Sequence, residues 1–229
     1  MSDLRVYAVQ DPTPVADGSW VNIRALNDGS AVTASFAQAS ILAGYGFHVT
    51  IGAFSTPITG GGDGTILDQD QPEGIISVPS GAAILPIRIH VQAQTPLLAT
   101  DSDESEILIA LDRTAAYDAS GTVTTETIFN MRTDNPVASV VTARSAATAN
   151  ITNPTLGIEL ARSVIVGDVQ GTAANALWTK NELLYEPKYP PVIVGPAAIY
   201  IYWGGTVATT GFAEVQWLEL PSSKAQIFA

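Results

Sequence analysis

Residues 87–92 read Ile87-Arg88-Ile89-His90-Val91-Gln92, an alternation of apolar and polar side chains. Because successive side chains of a strand point to opposite faces of its sheet, this alternation predicts a β-strand with one buried face. Residues 107–111 are apolar at every position, which predicts a strand that is covered on both faces in the middle of a sandwich. The residues expected in the core from such patterns are Ile87, Ile89, Ile107, Ile109, Ile199, Ile201 and Trp217.

The period of two recurs along the chain, and turn residues rich in Gly, Pro, Asn and Asp separate the segments. Helical patterns are few. Ala34–Gly44 has Ser35 as a candidate N-cap and Gly44 as a stop, and Val140–Asn150 is a second short candidate that overlaps the candidate strand Ser139–Ala143. Strands at intervals of about 8–12 residues with almost no helix predict an all-β protein, an antiparallel β-sandwich of the jelly-roll type.

A domain boundary is expected near residues 60–74. The glycine-rich run Gly60-Gly61-Gly62-Asp63-Gly64 is followed there by a polar stretch without hydrophobic period. Residues 1–74 are therefore predicted to form a β-rich N-terminal arm or small accessory lobe. Residues 75–229 are predicted to form the jelly-roll sandwich.

The composition argues against several classes of function. The 229 residues include 22 acidic and 10 basic side chains, a net charge of −12, and only 14% of them are charged. Binding to nucleic acid or to an anionic membrane surface needs clustered Lys and Arg, and the three lysines form no such cluster. The absence of cysteine removes disulfides, thiolate catalysis and Cys-ligated zinc. No apolar run reaches the ~18 residues of a membrane-spanning helix.

Side chains suited to catalysis are scarce. His48 and His90 are the two histidines, each in a strand-like segment, and Ser139 and Ser145 have no His-Asp context near them. The glycines at 60–64 are not followed by the Lys and Ser/Thr of a phosphate loop. We therefore predict no catalytic residue, no cofactor and no small-molecule substrate, in a protein that is not an enzyme.

Two acidic clusters, one in the loop near residue 65 and one just before the strand at 107–111, are candidates for a cation site. They comprise Asp63, Asp68, Asp70, Asp101, Asp103 and Glu104. Close-spaced carboxylates can supply the oxygen ligands that Ca²⁺ requires, but the spacing of an EF-hand is absent. A solvated turn is the favoured interpretation of each cluster, and no metal site is assigned.

Carbohydrate binding by a β-sandwich would need exposed aromatic side chains beside amides or carboxylates. Trp203 and Trp217 fall in dense apolar strands and are expected in the core. Trp178, which precedes Thr179, Lys180 and Asn181, is the tryptophan in the most polar setting.

The most specific pattern is carried by the last forty residues. Ile199-Tyr200-Ile201-Tyr202-Trp203-Gly204-Gly205-Thr206 is followed by a strand over residues 211–220 that closes with Trp217-Leu218-Glu219. This pair resembles the final hairpin of jelly-roll virion proteins encoded by tailed phages and environmental viral genomes, and residues 81–91 are similar to an early strand of the same proteins. Together the matches frame most of residues 75–220. The resemblance implies a subunit of a capsid or its decoration, commonly trimeric or pentameric and without enzymatic activity.

From this resemblance we expect a bacteriophage capsid decoration or cement protein, a homotrimer that contacts the major capsid protein at the virion surface. The low charge agrees with this expectation, since the cores of subunit interfaces are depleted of charge. The alternatives are a single-jelly-roll shell protein and a carbohydrate- or receptor-binding module of a tail or fibre. A glycosidase would need two carboxylates ~5–9.5 Å apart, and the sequence offers no such pair.

Overall fold

The structure, a computed structural model, describes residues 35–61, 67–96, 102–114, 119–120, 123–134, 137–145, 150–151, 155–168, 178–205 and 209–221. These residues form one helix, α1 (Phe36–Leu42), and fifteen strands. In chain order the strands are β1 (Gly46–Ile51), β2 (Ile58–Thr59), β3 (Gly74–Val78), β4 (Ala82–Pro96), β5 (Ser102–Asp112), β6 (Ala119–Ser120), β7 (Thr124–Thr125), β8 (Phe129–Asn130), β9 (Thr142–Ser145), β10 (Asn150–Ile151), β11 (Ile158–Asp168), β12 (Trp178–Tyr185), β13 (Ile193–Val194), β14 (Ala197–Gly205) and β15 (Thr210–Pro221).

Eight of the strands pair like the two arms of one long hairpin. β1 pairs with β15, β3 with β14, β4 with β12 and β5 with β11, so the first four strands meet the last four in reverse order, all antiparallel. The hairpin is wound into a seven-stranded sheet, with the order β12-β4-β15-β1-β8, and a six-stranded sheet, with the order β11-β5-β14-β3-β9-β7. β2 and β13 complete the first sheet, and β6 and β10 form a separate pair. This is the jelly-roll arrangement of two packed sheets, and the predicted all-β sandwich is confirmed.

Apolar side chains fill the space between the two sheets. Six of the seven core residues expected from the sequence are buried, namely Ile89, Ile107, Ile109, Ile199, Ile201 and Trp217. The Trp217 ring stacks on Phe47 with 6.1 Å between the ring centroids, which joins β15 to β1 inside this core.

Ile87 is the exception, because it is only half-buried. Arg88 pairs with Gln216 and Pro86 with Trp217, which leaves Ile87 as an extra residue of β4 without a partner on β15. Such a β-bulge reverses the alternation of the strand. The buried positions accordingly change from Ile84 and Pro86 to Ile89, Val91 and Ala93. The prediction for Ile87 is wrong, and Pro86, which cannot donate to the ladder, marks the place of the bulge.

The six-stranded sheet is covered on its outer face as well. A second apolar cluster lies there, made of Ile75, Leu108, Ala110, Ile151, Ala198, Tyr200 and Tyr202, with Leu67, Val123 and Leu156 packed against it. Leu108 and Ala110 alternate with residues of the main core along β5, so this strand is buried on both faces as its sequence predicts.

The helix α1 has the ends that the sequence indicates. The Ser35 side chain accepts a hydrogen bond from the Gln38 backbone N–H at 3.2 Å, the Gln38 side chain accepts one from the Ser35 N–H, and Gly44 follows with φ +84°. This capping box and positive-φ glycine confirm the helix predicted within Ala34–Gly44. The helix candidate Val140–Asn150 is wrong, because residues 142–145 pair with β3 as β9.

Part of the segment assigned to an N-terminal arm or lobe lies within the sandwich. β1 pairs with β15 on one side and β8 on the other, so it is an internal strand of the seven-stranded sheet, next to its last strand. Residues 1–34 lie outside the described residues. The chain between β5 and β11 supplies β7, β8 and β9, which extend both sheets beyond β1 and β3. We call this side the covered edge, and the opposite side, where β11 and β12 end the sheets, the open edge.

Candidate functional site

The two histidines lie on the outer face of the seven-stranded sheet, and each is engaged with a neighbour. His90 Nε2 lies 2.6 Å from Glu182 Oε1, and Lys180 Nζ lies 2.8 Å from Glu182 Oε2. Hydrogen bonds from Lys180 and then His90 lower the pKa of the Glu182 carboxyl. The His48 ring stacks on the exposed Phe129 ring at 5.5 Å between centroids. These contacts hold the strands of one sheet together.

The two serines considered as nucleophiles bond to carboxylates. Ser139 Oγ donates to Glu219 Oε2 at 2.8 Å, and Ser145 Oγ donates to Glu126 Oε1 at 2.5 Å. Glu219 is nearly buried and also accepts the Val140 backbone N–H at 3.0 Å. Ser139 therefore ties the chain between β5 and β11 to β15, and Ser145 joins β9 to residue 126 within that same chain.

The acidic clusters are only partly within the described residues. Asp63 and Asp101 lie outside them. Asp68 Oδ1 accepts the Asp70 backbone N–H at 2.9 Å, so that pair forms a turn. Asp103 and Glu104 belong to β5 and pair with Gly167 and Val166 of β11. Over the described ranges, no group of three or more His, Cys, Asp or Glu side chains could hold a metal ion.

Two of the four tryptophans lie where the sequence places them. Trp203 and Trp217 are fully buried, which confirms both as core residues. Trp178 opens β12 and pairs with Pro96 at the end of the seven-stranded sheet. Trp20 lies outside the described residues.

Glu73, which the sequence does not mark as a functional residue, is almost completely buried. Its carboxylate accepts the backbone N–H of Gly61, at 2.5 Å, and of Trp203, at 2.8 Å. Burial raises the pKa of Glu73 to about 8, against the opposing effect of these hydrogen bonds. Glu73 lies just before β3, and its side chain joins the last part of β14 to the backbone of Gly61. Nothing in the polar run around Glu73 distinguishes it from its solvated neighbours.

At the open edge a buried amide joins the two sheets. Asn181 of β12 is fully buried, and its Nδ2 donates to the Ser105 carbonyl of β5 at 2.9 Å. Its Oδ1 accepts Ser163 Oγ of β11 at 2.7 Å. An Asn in a polar segment gives no sequence signal of burial, and this residue was not singled out.

Besides that amide, the open edge carries exposed apolar side chains on two strands that each have one strand partner among the described residues. Among the described strands, β11 pairs only with β5 and β12 only with β4. Val164 and Val166 of β11 are 46% and 61% exposed, and Leu184 of β12 is 50% exposed. β11 is 11 residues long, and on its side away from β5 the Ser163 carbonyl accepts Asn181 Nδ2 at 3.4 Å, while no other described strand pairs with that side.

Several cavities open on the described surface, and three of them have linings that bear on function. One of about 260 Å³ is apolar, and its single charged group, Glu219, is already hydrogen-bonded. One of about 500 Å³ lies along residues 125–143, where Glu126 and Asn130 are also engaged. The smallest of the three, about 130 Å³, combines the aromatic side chains of Phe54 and Phe212 with the amides of Gln92 and Gln94, beside Pro57 and Thr210.

No family model, curated protein or solved structure matches the chain. Among the described residues, α1 is too short to cross a membrane, and no longer helix is present. The function is therefore inferred from the residues and their geometry.

Proposed function

We propose that the chain is a structural subunit of a bacteriophage virion, which acts by binding copies of itself and the major capsid protein at the capsid surface. The observation that carries the proposal is the open edge of a jelly roll. Jelly rolls build viral capsids as well as lectins and other proteins, so the strand order alone does not select a function. The exposed apolar side chains at the open edge are therefore the observation on which the proposal rests.

The open edge has the properties of an association surface. Soluble proteins usually protect long edge strands with charges, prolines or bulges, because unpaired backbone groups recruit further strands. β12 carries Lys180 and Glu182 on its exposed side. β11 has a bulge between Glu159 and Ala161 and the ion pair Arg162–Glu159 in its first part, whereas its residues 163–166 hold no charge and no proline. Val166 is among the more exposed apolar side chains of this edge. A second copy placed against β11 would remove it from water and pair the strand.

The expected assembly follows from the symmetry of homo-oligomers and from the net charge of each copy. A closed ring is the usual form of a homo-oligomer, and a trimer is our choice by analogy with jelly-roll decoration proteins. Each copy carries a net charge of −12, so copies repel one another at low ionic strength. Salt should then strengthen an apolar contact by screening, whereas it would weaken a contact between opposite charges.

Sedimentation velocity of the full chain over a range of protein and salt concentrations tests the proposal. We expect a discrete oligomer that becomes more abundant with salt and buries more than ~1,000 Å² per interface. Electron microscopy of the same samples distinguishes a decoration subunit from a shell protein, since the first forms small rings and the second forms closed shells. A monomer under every condition would contradict the proposal and favour the carbohydrate- or receptor-binding alternative.

A further inference from the structure

The outer face of the seven-stranded sheet carries a small cavity whose lining differs from the rest of the surface. Gln92 and Gln94 of β4, Phe212 of β15 and Phe54 of the loop before β2 meet there in about 130 Å³. The two larger cavities lack this combination, and the polar groups named in them are already hydrogen-bonded.

The backbone that carries Phe54 is held in a tight turn, and the side chain itself is 79% exposed. The backbone groups of Ala53 and Thr56 exchange two hydrogen bonds, of 3.2 and 3.0 Å, which close a tight turn with Phe54 at its tip. Gly52 enters this turn with φ +68°, and the Ile58 carbonyl just beyond it accepts the indole N–H of buried Trp203 at 3.1 Å. A large exposed aromatic side chain on a well-defined turn beside a cavity is typical of a binding surface.

The amides beside Phe54 are available for a ligand. Gln94 is exposed and makes no side-chain hydrogen bond with any other described residue. Gln92 Nε2 lies 3.4 Å from Glu182 Oε1 and 3.3 Å from His90 Nε2, which leaves the amide oxygen as an acceptor. Each amide offers both donor and acceptor groups, as does each hydroxyl of a sugar.

We propose that this cavity binds a neutral saccharide. The faces of Phe54 and Phe212 would cover the apolar C–H surface of a sugar ring, and Gln92 and Gln94 would hydrogen-bond its hydroxyls. The net charge of −12 disfavours a sialylated or sulfated ligand, because the field of the protein repels anions. The inference goes beyond a role in virion assembly: the subunit would also attach the particle to neutral glycans.

An array of immobilised glycans ending in glucose, galactose, mannose or N-acetylglucosamine, with sialylated counterparts, tests the inference on the full chain. We expect binding to at least one neutral glycan and weaker or no binding to the sialylated form. Calorimetric titration with the free oligosaccharide that binds best then measures affinity. Phe54→Ala and Gln94→Ala should each weaken it at least tenfold.

Phe129→Ala is the matched control. Phe129 is also an exposed phenylalanine of this sheet, 56% exposed, but it stacks on His48 and does not line the cavity. Its substitution should leave glycan affinity unchanged, and thermal unfolding should show that all three variants remain folded. Three results would overturn the inference: no neutral glycan bound, equal affinity for the Phe54→Ala and Phe129→Ala variants, or a loss of self-association rather than glycan binding in Phe54→Ala. The last result would make Phe54 a protein contact.

Discussion

The covered edge and the open edge of the sandwich differ in the strands that end the two sheets there. At the covered edge, short strands from the chain between β5 and β11 extend both sheets, and Glu219 binds Ser139 and the Val140 N–H of that chain. At the open edge, β11 and β12 end the sheets, and the polar link Asn181 lies inside while Val164 and Val166 face outward. Among the described residues, the same fold thus covers one side with its own chain and leaves the other side without such a cover, and this is the side where we propose association.

The comparison of the two edges distinguishes contacts that stabilise a single copy from contacts that we expect to join two copies. Residues inside either edge should change the free energy of unfolding when they are substituted. Residues on the outside of the open edge should change the oligomeric state and leave unfolding almost unaffected. The following variants test this separation from the largest expected effect to the smallest.

Ile109→Ala should have the largest effect. Ile109 is fully buried between the sheets and pairs with Ala161 of β11, one strand in from the open edge. Removing three buried carbons should lower the free energy of unfolding by roughly 2–5 kcal/mol. Denaturant titration measures the change, and a loss below about 0.5 kcal/mol would mean that the main core does not extend to this edge.

The pH dependence of the free energy of unfolding tests the raised pKa of Glu73, the residue that precedes β3. Its carboxyl has a pKa of about 8 when folded, against 4.5 for an unperturbed glutamate, so the folded chain keeps a proton that the unfolded chain loses. Between these pH values the free energy of unfolding should fall as pH rises, by at most about 1.4 kcal/mol per unit, and it should level off above.

Glu73→Gln should flatten that slope between pH 5 and pH 8, because the amide does not titrate. Glu186→Gln removes an exposed carboxyl and serves as the control with an unchanged slope. Denaturant titrations at several pH values compare the three proteins. Parallel curves for the wild type and Glu73→Gln would contradict the raised pKa.

Asn181→Ala should have an intermediate effect at the open edge. It removes the partners of Ser163 Oγ and the Ser105 carbonyl between the two sheets. Buried polar groups left without a partner cost about 1–3 kcal/mol, so the free energy of unfolding should fall by that amount. Ser139→Ala, which removes one bond to Glu219, gives the comparison at the covered edge. An Asn181→Ala variant as stable as the wild type would show that water reaches this amide.

The sequence predicts the sandwich because its strands carry their own periodicity, as in residues 107–111, and it predicts α1 because Ser35, Gln38 and Gly44 form a local signal. It fails where a tertiary contact overrides the local pattern. Ile87 leaves the core because of a bulge against β15, and residues 142–145 become a strand because β3 lies beside them. Gly60 and Gly61 resemble a flexible linker, but a Cβ on Gly60 would lie 2.0 Å from the Trp203 carbonyl oxygen, so the glycine permits close packing.

The candidate site was less predictable than the fold. The sequence indicates that aromatics beside amides would suit a saccharide, yet it directs attention to Trp178. Phe54 and Gln94 are 40 residues apart and become neighbours only because β2 and β4 both pair with β15. The burial of Glu73 and Asn181 likewise depends on strands far away in the chain.

The most direct test of the open edge as the association surface is the molar mass of Val166→Lys in sedimentation velocity, beside the wild type and Val192→Lys. Val192 is exposed to a similar extent, 52% against 61%, but lies before β13, away from β11. A charge on an edge strand opposes pairing, so Val166→Lys should be monomeric, with its free energy of unfolding within about 0.5 kcal/mol of the wild type. The wild type and Val192→Lys should both form the trimer. A Val166→Lys variant that sediments as the same trimer would contradict the assignment of the open edge.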